Sequence, residues 1–236
     1  MTLSKIVIAN RGEIASRIIR TCHKLGIATV VVYASPDVDL PFVAEADEAI
    51  ELPGKQASET YLLVDKIIAA AKLTNADAIH PGFGFLSEQA AFASRCAQEG
   101  IIFVGPNPGA IASMGIKSKA KEIMEQHGVP VIKGYRGSEQ SVDFLVQQAI
   151  AIGFPVLIKA VAGGGGKGMR IAENEAAVAA AILAAQQEAL HAFGNAELMI
   201  ERYFKKARHI EFQIFGDQHG QVVHLFEREC SIQRRY

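Results

Sequence analysis

A chain of 236 residues with 24 Lys plus Arg against 25 Asp plus Glu, and half its residues apolar, is long enough to bury a core and is nearly neutral. That balance fits an ordinary soluble globular protein and carries neither a nucleic-acid footprint nor an acidic tail. Cys22, Cys96 and Cys230 have no paired spacing for a zinc site or a disulfide framework, which fits a reducing compartment.

The opening "MTLSKIVIANRGE" has only a short apolar run before charge returns, so it reads as neither a secretory signal nor an Arg-rich transit segment. Within it "KIVIA" (5–9) is a buried strand, and "NRGEIASRIIRTCHKLG" is a helix with Ile14, Ile18 and Leu25 near one face, ending at Gly26. "ATVVVYA" is the second strand, followed by a helix over 60–73, a strand at "DAIH", a helix over about 88–99 and a strand at "IIFVG". Short β-rich runs alternating with helices predict βαβ units and a doubly wound, Rossmann-like parallel sheet. Ligands of such sheets lie beyond the carboxyl ends of the strands, which places "ANRGE" and "HPGFGFLSE" on the working edge. His80 stands there, either as a binding group or as a structural histidine.

From Pro106 to Gly128 the pattern is helical, with Lys117, Lys119 and Lys121 in a row, and "HGVPVIKGYRGSEQS" connects to a second, α+β unit. That unit reads as a helix over 140–152, a strand "FPVLIKAV", a glycine loop, a strand "MRIA", a helix from Asn174 as N-cap to about 191, and a strand "LMIERYF". The apolar helix over 175–190 is broken by Gln and Glu and is expected to be too short for a bilayer. "RHIEFQIFGDQHGQVVHLFEREC" alternates, with Ile210, Phe212 and Ile214 on one face and His209, Glu211 and Gln213 on a wet one; "GDQHG" makes it a hairpin.

The stretch "IKAVAGGGGKGMRIAE" holds Gly163, Gly164, Gly165, Gly166, Lys167 and Gly168 between two apolar runs. Glycine loses most freedom on folding, so such a run implies close approach to the main chain, and beside Lys159 a phosphate is the obvious guest. A dinucleotide fingerprint needs the loop to open a helix, but "MRIA" intervenes. A P-loop needs Ser or Thr after Lys167, where Gly168 stands. What remains is strand, loop, strand: a flap from Gly163 to Met169 whose amides form an anion nest over phosphate oxygens. "MIERYF" then presents backbone donors and acceptors to an adenine edge, with Tyr203 or Phe204 lending apolar surface and Glu201 accepting a hydrogen bond, or is an ordinary strand with an exposed glutamate. His209 faces a second substrate or is structural, and "YFKKARH" lacks the interleaved aromatics of a nucleic-acid surface.

"KIVIANRGEIASRIIR", "IHPGFGFLSE", "FVGPN", "IKAVAGGGGKGMR", "RHIEFQIFGD" and "ERECSIQRR", in that order, resemble the biotin carboxylase component of biotin-dependent carboxylases, with wording that leans toward the methylcrotonoyl-CoA type. The resemblance implies an N-terminal domain at 1–115, an ATP-grasp lid with entry helices at 116–204, and the start of the C-terminal ATP-grasp subdomain at 205–236, an incomplete unit. It implies ATP and Mg2+ as cofactors, bicarbonate activated as carboxyphosphate, and biotin on a carrier domain as acceptor. A carboxyltransferase subunit and a second copy of the full-length chain are the implied partners, in the cytoplasm or the mitochondrial matrix, with no nucleic acid and no membrane. By the same resemblance Lys117 and Lys159 touch phosphates, residues 163–169 cover the triphosphate, Glu201 to Phe204 hold adenine, and His209, Gln233 and Tyr236 lie near ribose, phosphate and biotin. Phosphoryl transfer is mostly positioning and charge neutralisation, so these parts belong together. Tyr236 stands where relatives have histidine, Arg202 where lysine is common and Phe83 where tyrosine is frequent. The family's magnesium-binding glutamates and other catalytic groups fall past Tyr236, so the chain by itself is expected to bind ATP weakly and to lack turnover. A carbamoyl-phosphate synthetase-like ligase and a non-catalytic nucleotide-binding fragment are the rival readings.

Overall fold

The computed structural model describes residues 3–115, 117–161, 169–217 and 219–232, with Lys117 and Ser118 by their main chain only. The chain divides into two compact units, Met1–Ala120 and Lys121–Tyr236. The first runs β1 (Lys5–Ile8), α1 (Gly12–Lys24), β2 (Ala28–Ala34), α2 (Pro41–Glu45), β3 (Glu48–Leu52), α3 (Val64–Leu73), β4 (Ala78–His80), α4 (Ala90–Gln98), β5 (Ile102–Phe103) and α5 (Pro108–Met114). The five strands are all parallel in the order β3-β2-β1-β4-β5, so the order reverses between β1 and β4, as a doubly wound sheet requires.

Strand alternation sends Val7, Val30 and Val32 into one apolar layer with Ile67 and Phe92, and Ile6, Ile8 and Val31 into the other with Ile18, Ile19 and Phe42. Two expectations change. Leu25 is exposed at the C-terminal cap of α1, whose buried stripe is Ala15, Ser16, Ile18, Ile19 and Cys22. The strand β3 was not expected at all, because Glu48 and Glu51 give it the polar look of an edge strand, one of the ways proteins discourage edge pairing.

α6 (Lys117–Gln126) carries the division between the units. The second unit continues as β6 (Gly134–Tyr135), α7 (Val142–Ile152), β7 (Val156–Ala160), β8 (Met169–Ala172), α8 (Glu175–Phe193) and β9 (Leu198–Arg202). Its antiparallel sheet has the order β6-β9-β7-β8. Val156, Ile158, Ala160, Leu198 and Ile200 form one face of that sheet, closed by Leu145 and Ala149 of α7 and by Val178, Ile182, Ala185 and Ala189 of α8. Asn174 caps α8, its Oδ1 accepting the Ala177 N–H at 3.1 Å, and Gly194 closes it in the left-handed conformation at φ +69°. At 19 residues α8 is, contrary to expectation, long and apolar enough to cross a membrane by length and composition. Its stripe at helical spacing packs into the core instead.

The two-residue β6, which sequence reading took for a connection, lies so close to β9 that it needs glycine. A Cβ on Gly134 would meet the Ile200 carbonyl oxygen at 2.6 Å and Glu201 Cγ at 3.1 Å. Beyond the sheet, β10 (Ile210–Gly216) and β11 (Val222–Glu229) form an antiparallel hairpin whose turn is held by Asp217 Oδ1, which accepts the His219 and Gln221 N–H groups at 2.8 Å. Its apolar residues are as exposed as its polar ones, Phe212, Ile214, Leu225 and Phe226 included. The register shifts between Phe212 and Ile214, with Phe226 at φ +63° on the bulged strand.

Replacing Gly134 by Val forces backbone apart rather than a flexible side chain. Chemical denaturation of Gly134→Val will show the second unit destabilised by about 2 kcal/mol.

Candidate functional site

In β9, Leu198 and Ile200 point into the core and Glu201 points to the other face of the sheet, where Lys159 of β7 also lies. In the ladder Leu157 faces Glu201 and Lys159 faces Met199, so the two charged side chains meet diagonally. Lys159 Nζ donates to Glu201 Oε2 at 2.6 Å, and Lys121 Nζ of α6 donates to Oε1. The carboxylate is 4 % exposed against 27 % for Lys121 and 31 % for Lys159. Two ammonium groups therefore converge on the two oxygens of one buried carboxylate.

Glu201 is thus buried where an ordinary exposed glutamate was one reading, and its oxygens are met by lysines. Beside it the Arg202 N–H donates to the Lys133 carbonyl and the Tyr203 N–H to the Pro155 carbonyl, both at 2.9 Å, while Phe204 is exposed. Met169 opens β8 directly opposite Lys159, so the strands read on either side of the glycine run pair with each other. His209 lies at the start of the exposed hairpin, its N–H on Ser231 Oγ at 2.8 Å. The side chain of Lys117, residues 163–168 with Lys167, and Gln233 and Tyr236 lie outside the described residues. Sequence reasoning named Lys121 without giving it a role. The signal was present in the sequence, because Lys121 follows Lys117 by four positions, the spacing of one helical turn.

At the carboxyl edge of the first unit a second cluster forms. Arg11 precedes α1 and binds Asp37 with both arms of its guanidinium, Nε to Oδ2 at 2.8 Å, while the Tyr61 hydroxyl donates to Oδ2 at 2.6 Å and accepts the Ala34 N–H at 3.0 Å. Asn10, fully buried, donates to the carbonyls of Pro81 and Phe83 and so ties the "ANRGE" turn to the "HPGFGFLSE" loop. His80 Nδ1 accepts the Gly82 N–H at 3.0 Å, and burial followed by the Arg17 charge holds the ring below its usual pKa, which favours the neutral form. Apart from His80 and Gly82, these partners are far apart in sequence; "ANRGE" and "HPGFGFLSE" marked the edge, but the sequence did not announce Asp37 and Tyr61 as partners of Arg11.

A doubly wound parallel sheet followed in the chain by an antiparallel sheet with lysines on one face is the fold of the ATP-grasp domains that match it. The profile described as Biotin carboxylase, N-terminal domain matches residues 2–111, and that of Carbamoyl-phosphate synthase L chain, ATP binding domain matches residues 117–236. The chain belongs to the biotin carboxylase family, as its N-terminal and ATP-binding regions. It is 52 % identical over 234 residues to the mitochondrial methylcrotonoyl-CoA carboxylase subunit alpha of Oryza sativa subsp. japonica, covering 99 % of this chain and 32 % of that one. With Biotin carboxylase 2 of Bacillus subtilis (strain 168) it shares 50 % identity, over 99 % of this chain and 52 % of that one. The Campylobacter jejuni biotin carboxylase–beta-gamma-ATP complex superposes with a TM-score of 0.88 at 45 % identity, covering 99 % of this chain and 52 % of that one. The Hydrogenobacter thermophilus 2-oxoglutarate carboxylase biotin carboxylase domain dimer, with MgADP, ADP and bicarbonate, gives 0.86 at 45 %, covering 100 % of this chain and 52 % of that one. The chain spans about a third to a half of the length of these relatives.

Two outcomes follow from the clusters. Glu201→Ala leaves two lysines facing each other without their anion and will destabilise the second unit by about 3 kcal/mol in a denaturation series. Burial raises the Asp37 carboxyl, but hydrogen bonds from Arg11 and Tyr61 and the Arg11 charge outweigh it and hold the group below the usual carboxylate range. A carboxylate depressed by folding stabilises the native state above its ordinary pKa, and that contribution is lost as pH falls through the lowered value. Asp37→Asn will therefore cost about 2 kcal/mol at neutral pH, and the gap to the unsubstituted chain will narrow on acid titration.

Proposed function

We propose that this chain supplies part of the biotin carboxylase machinery of an acyl-CoA carboxylase and that its second unit grips the phosphates of ATP. In the reaction, bicarbonate oxygen takes the γ-phosphoryl group of ATP, giving ADP and carboxyphosphate. Carboxyphosphate then transfers its carboxyl group to a ureido nitrogen of biotin on a carrier domain, and phosphate leaves. The carrying observation is Lys159, anchored on buried Glu201 at the end of the strand that leads to the glycine loop. Lys117, Lys167 and the loop amides from Gly163 to Gly168 are the further phosphate ligands in this reading, and Arg202, Tyr203 and Phe204 flank adenine. His209, Gln233 and Tyr236 belong near ribose, phosphate and biotin.

Among the described residues no group of three or more His, Cys, Asp or Glu is placed to hold a metal ion. A biotin carboxyl carrier domain, a carboxyltransferase subunit and a second copy of the full-length chain are the partners this reading assigns. The Hydrogenobacter thermophilus domain dimer and the methylcrotonoyl-CoA carboxylase relatives support it. A cytoplasmic or mitochondrial-matrix setting suits it. The name of the second matching profile favours, as an alternative, a carbamoyl-phosphate synthetase-like ligase. The N-terminal match supports biotin.

The test joins residues 1–236 to the remaining part of Bacillus subtilis Biotin carboxylase 2. ATP hydrolysis by this chimera is expected to depend on both bicarbonate and free biotin, and Lys159→Met is expected to reduce it at least tenfold, about 1.4 kcal/mol of transition-state stabilisation. Turnover that needs bicarbonate but ignores biotin would favour the carbamoyl-phosphate alternative.

A further inference from the structure

The reading above uses Lys159 as a phosphate ligand but leaves Lys121 unused. Yet Lys121 occupies one oxygen of the Glu201 carboxylate while Lys159 occupies the other. A carboxylate paired with Lys159 alone would cancel that lysine's charge, and an arriving phosphate would meet a neutral pair backed by a buried anion. With Lys121 on the second oxygen the carboxylate shares its charge between two ammonium groups. It then fixes the Lys159 ammonium in place while the charge of that ammonium still acts on the open face.

The geometry excludes an indifferent position for Glu201. Gly134 packs against its Cγ from β6, and Leu157 stands opposite it in β7, so the carboxylate is confined between the two lysines. We propose that Lys121 is a positioning residue for polyphosphate recognition: it shares the negative charge of Glu201, so that less of that charge offsets the Lys159 ammonium when a nucleoside di- or triphosphate arrives. Lys121 itself need not touch the nucleotide. The inference rests on the nucleotide reading of this site and adds to it the residue that sets preference for the phosphates over the nucleoside.

The test is calorimetric titration of the 236-residue chain with ATP, ADP and adenosine at fixed ionic strength. Lys121→Met is expected to weaken ATP at least tenfold and ADP less, with adenosine unchanged, and Lys121→Arg is expected to restore most of the ATP affinity. The double variant Lys121→Met with Glu201→Gln is the sharper arm, because without the carboxylate charge no charge-sharing lysine is needed. It should bind ATP several-fold more tightly than Lys121→Met alone. Equal losses for ATP and adenosine, or a double variant no better than the single one, would overturn the proposal and leave Lys121 a structural contact. If Lys121→Met does not fold, as judged by near-ultraviolet circular dichroism, Lys121→Arg and the double variant decide it. If the unsubstituted chain binds adenosine and ATP equally, the phosphate-grip reading fails as well. If only the variants behave like the unsubstituted chain, this inference fails alone.

Discussion

A carboxylate can be buried under a sheet only if both of its oxygens are met, and in the second unit that condition organises everything on the open face. Glu201 satisfies it with two lysines from two different elements, one on the neighbouring strand β7 and one on α6. The price is sequence constraint: β6 must carry glycine at 134 to make room, and β9 must keep its alternation so that Ile200 enters the core while Glu201 does not. Stability and charge presentation are therefore one problem here. The same salt bridges that allow Glu201 to be buried also hold the two ammonium groups in place.

The first unit solves the corresponding problem at the carboxyl edge of its parallel sheet by different means. Loops emerging there have backbone groups that must find partners away from regular structure. Asn10 supplies them for the turn before α1 and the loop after β4, and Asp37 collects Arg11 and Tyr61 from two other connections. Tyr61 also stacks on Phe85, whose φ of +45° marks a backbone held by its surroundings rather than by its own preference. The loops at the edge on which ligands of doubly wound sheets bind are thereby tied to one another by side-chain hydrogen bonds.

Much of this was legible in the sequence because burial on one or both faces leaves a periodic trace. "ATVVVYA" and "MRIA" are strands over the residues expected, and Asn174 caps α8 as its position before an acidic, apolar run implied. Elements that cover little apolar surface left no such trace. β6 has two residues, and β3 reads Glu-Ala-Ile-Glu-Leu with no two-residue alternation and only Leu52 buried, so neither rises above a loop in a periodicity count. At the site, Lys159 and Glu201 were visible as chemistry beside a glycine run. The burial of Glu201 was not, because it depends on α6, eighty positions earlier in the chain. The Arg11, Asp37 and Tyr61 cluster was hidden for the same reason, its members meeting only once the parallel sheet has formed.

The hairpin carries a consequence of a colloidal kind. A ribbon of two strands that leaves Phe212, Ile214, Leu225 and Phe226 in water offers sticky side chains and unsatisfied strand edges together. Solubility of the chain at high concentration will then be governed by residues 210–229 rather than by either core. Detergents, crowding and salting-out agents should act on this segment first, while the folded state of both units is still intact.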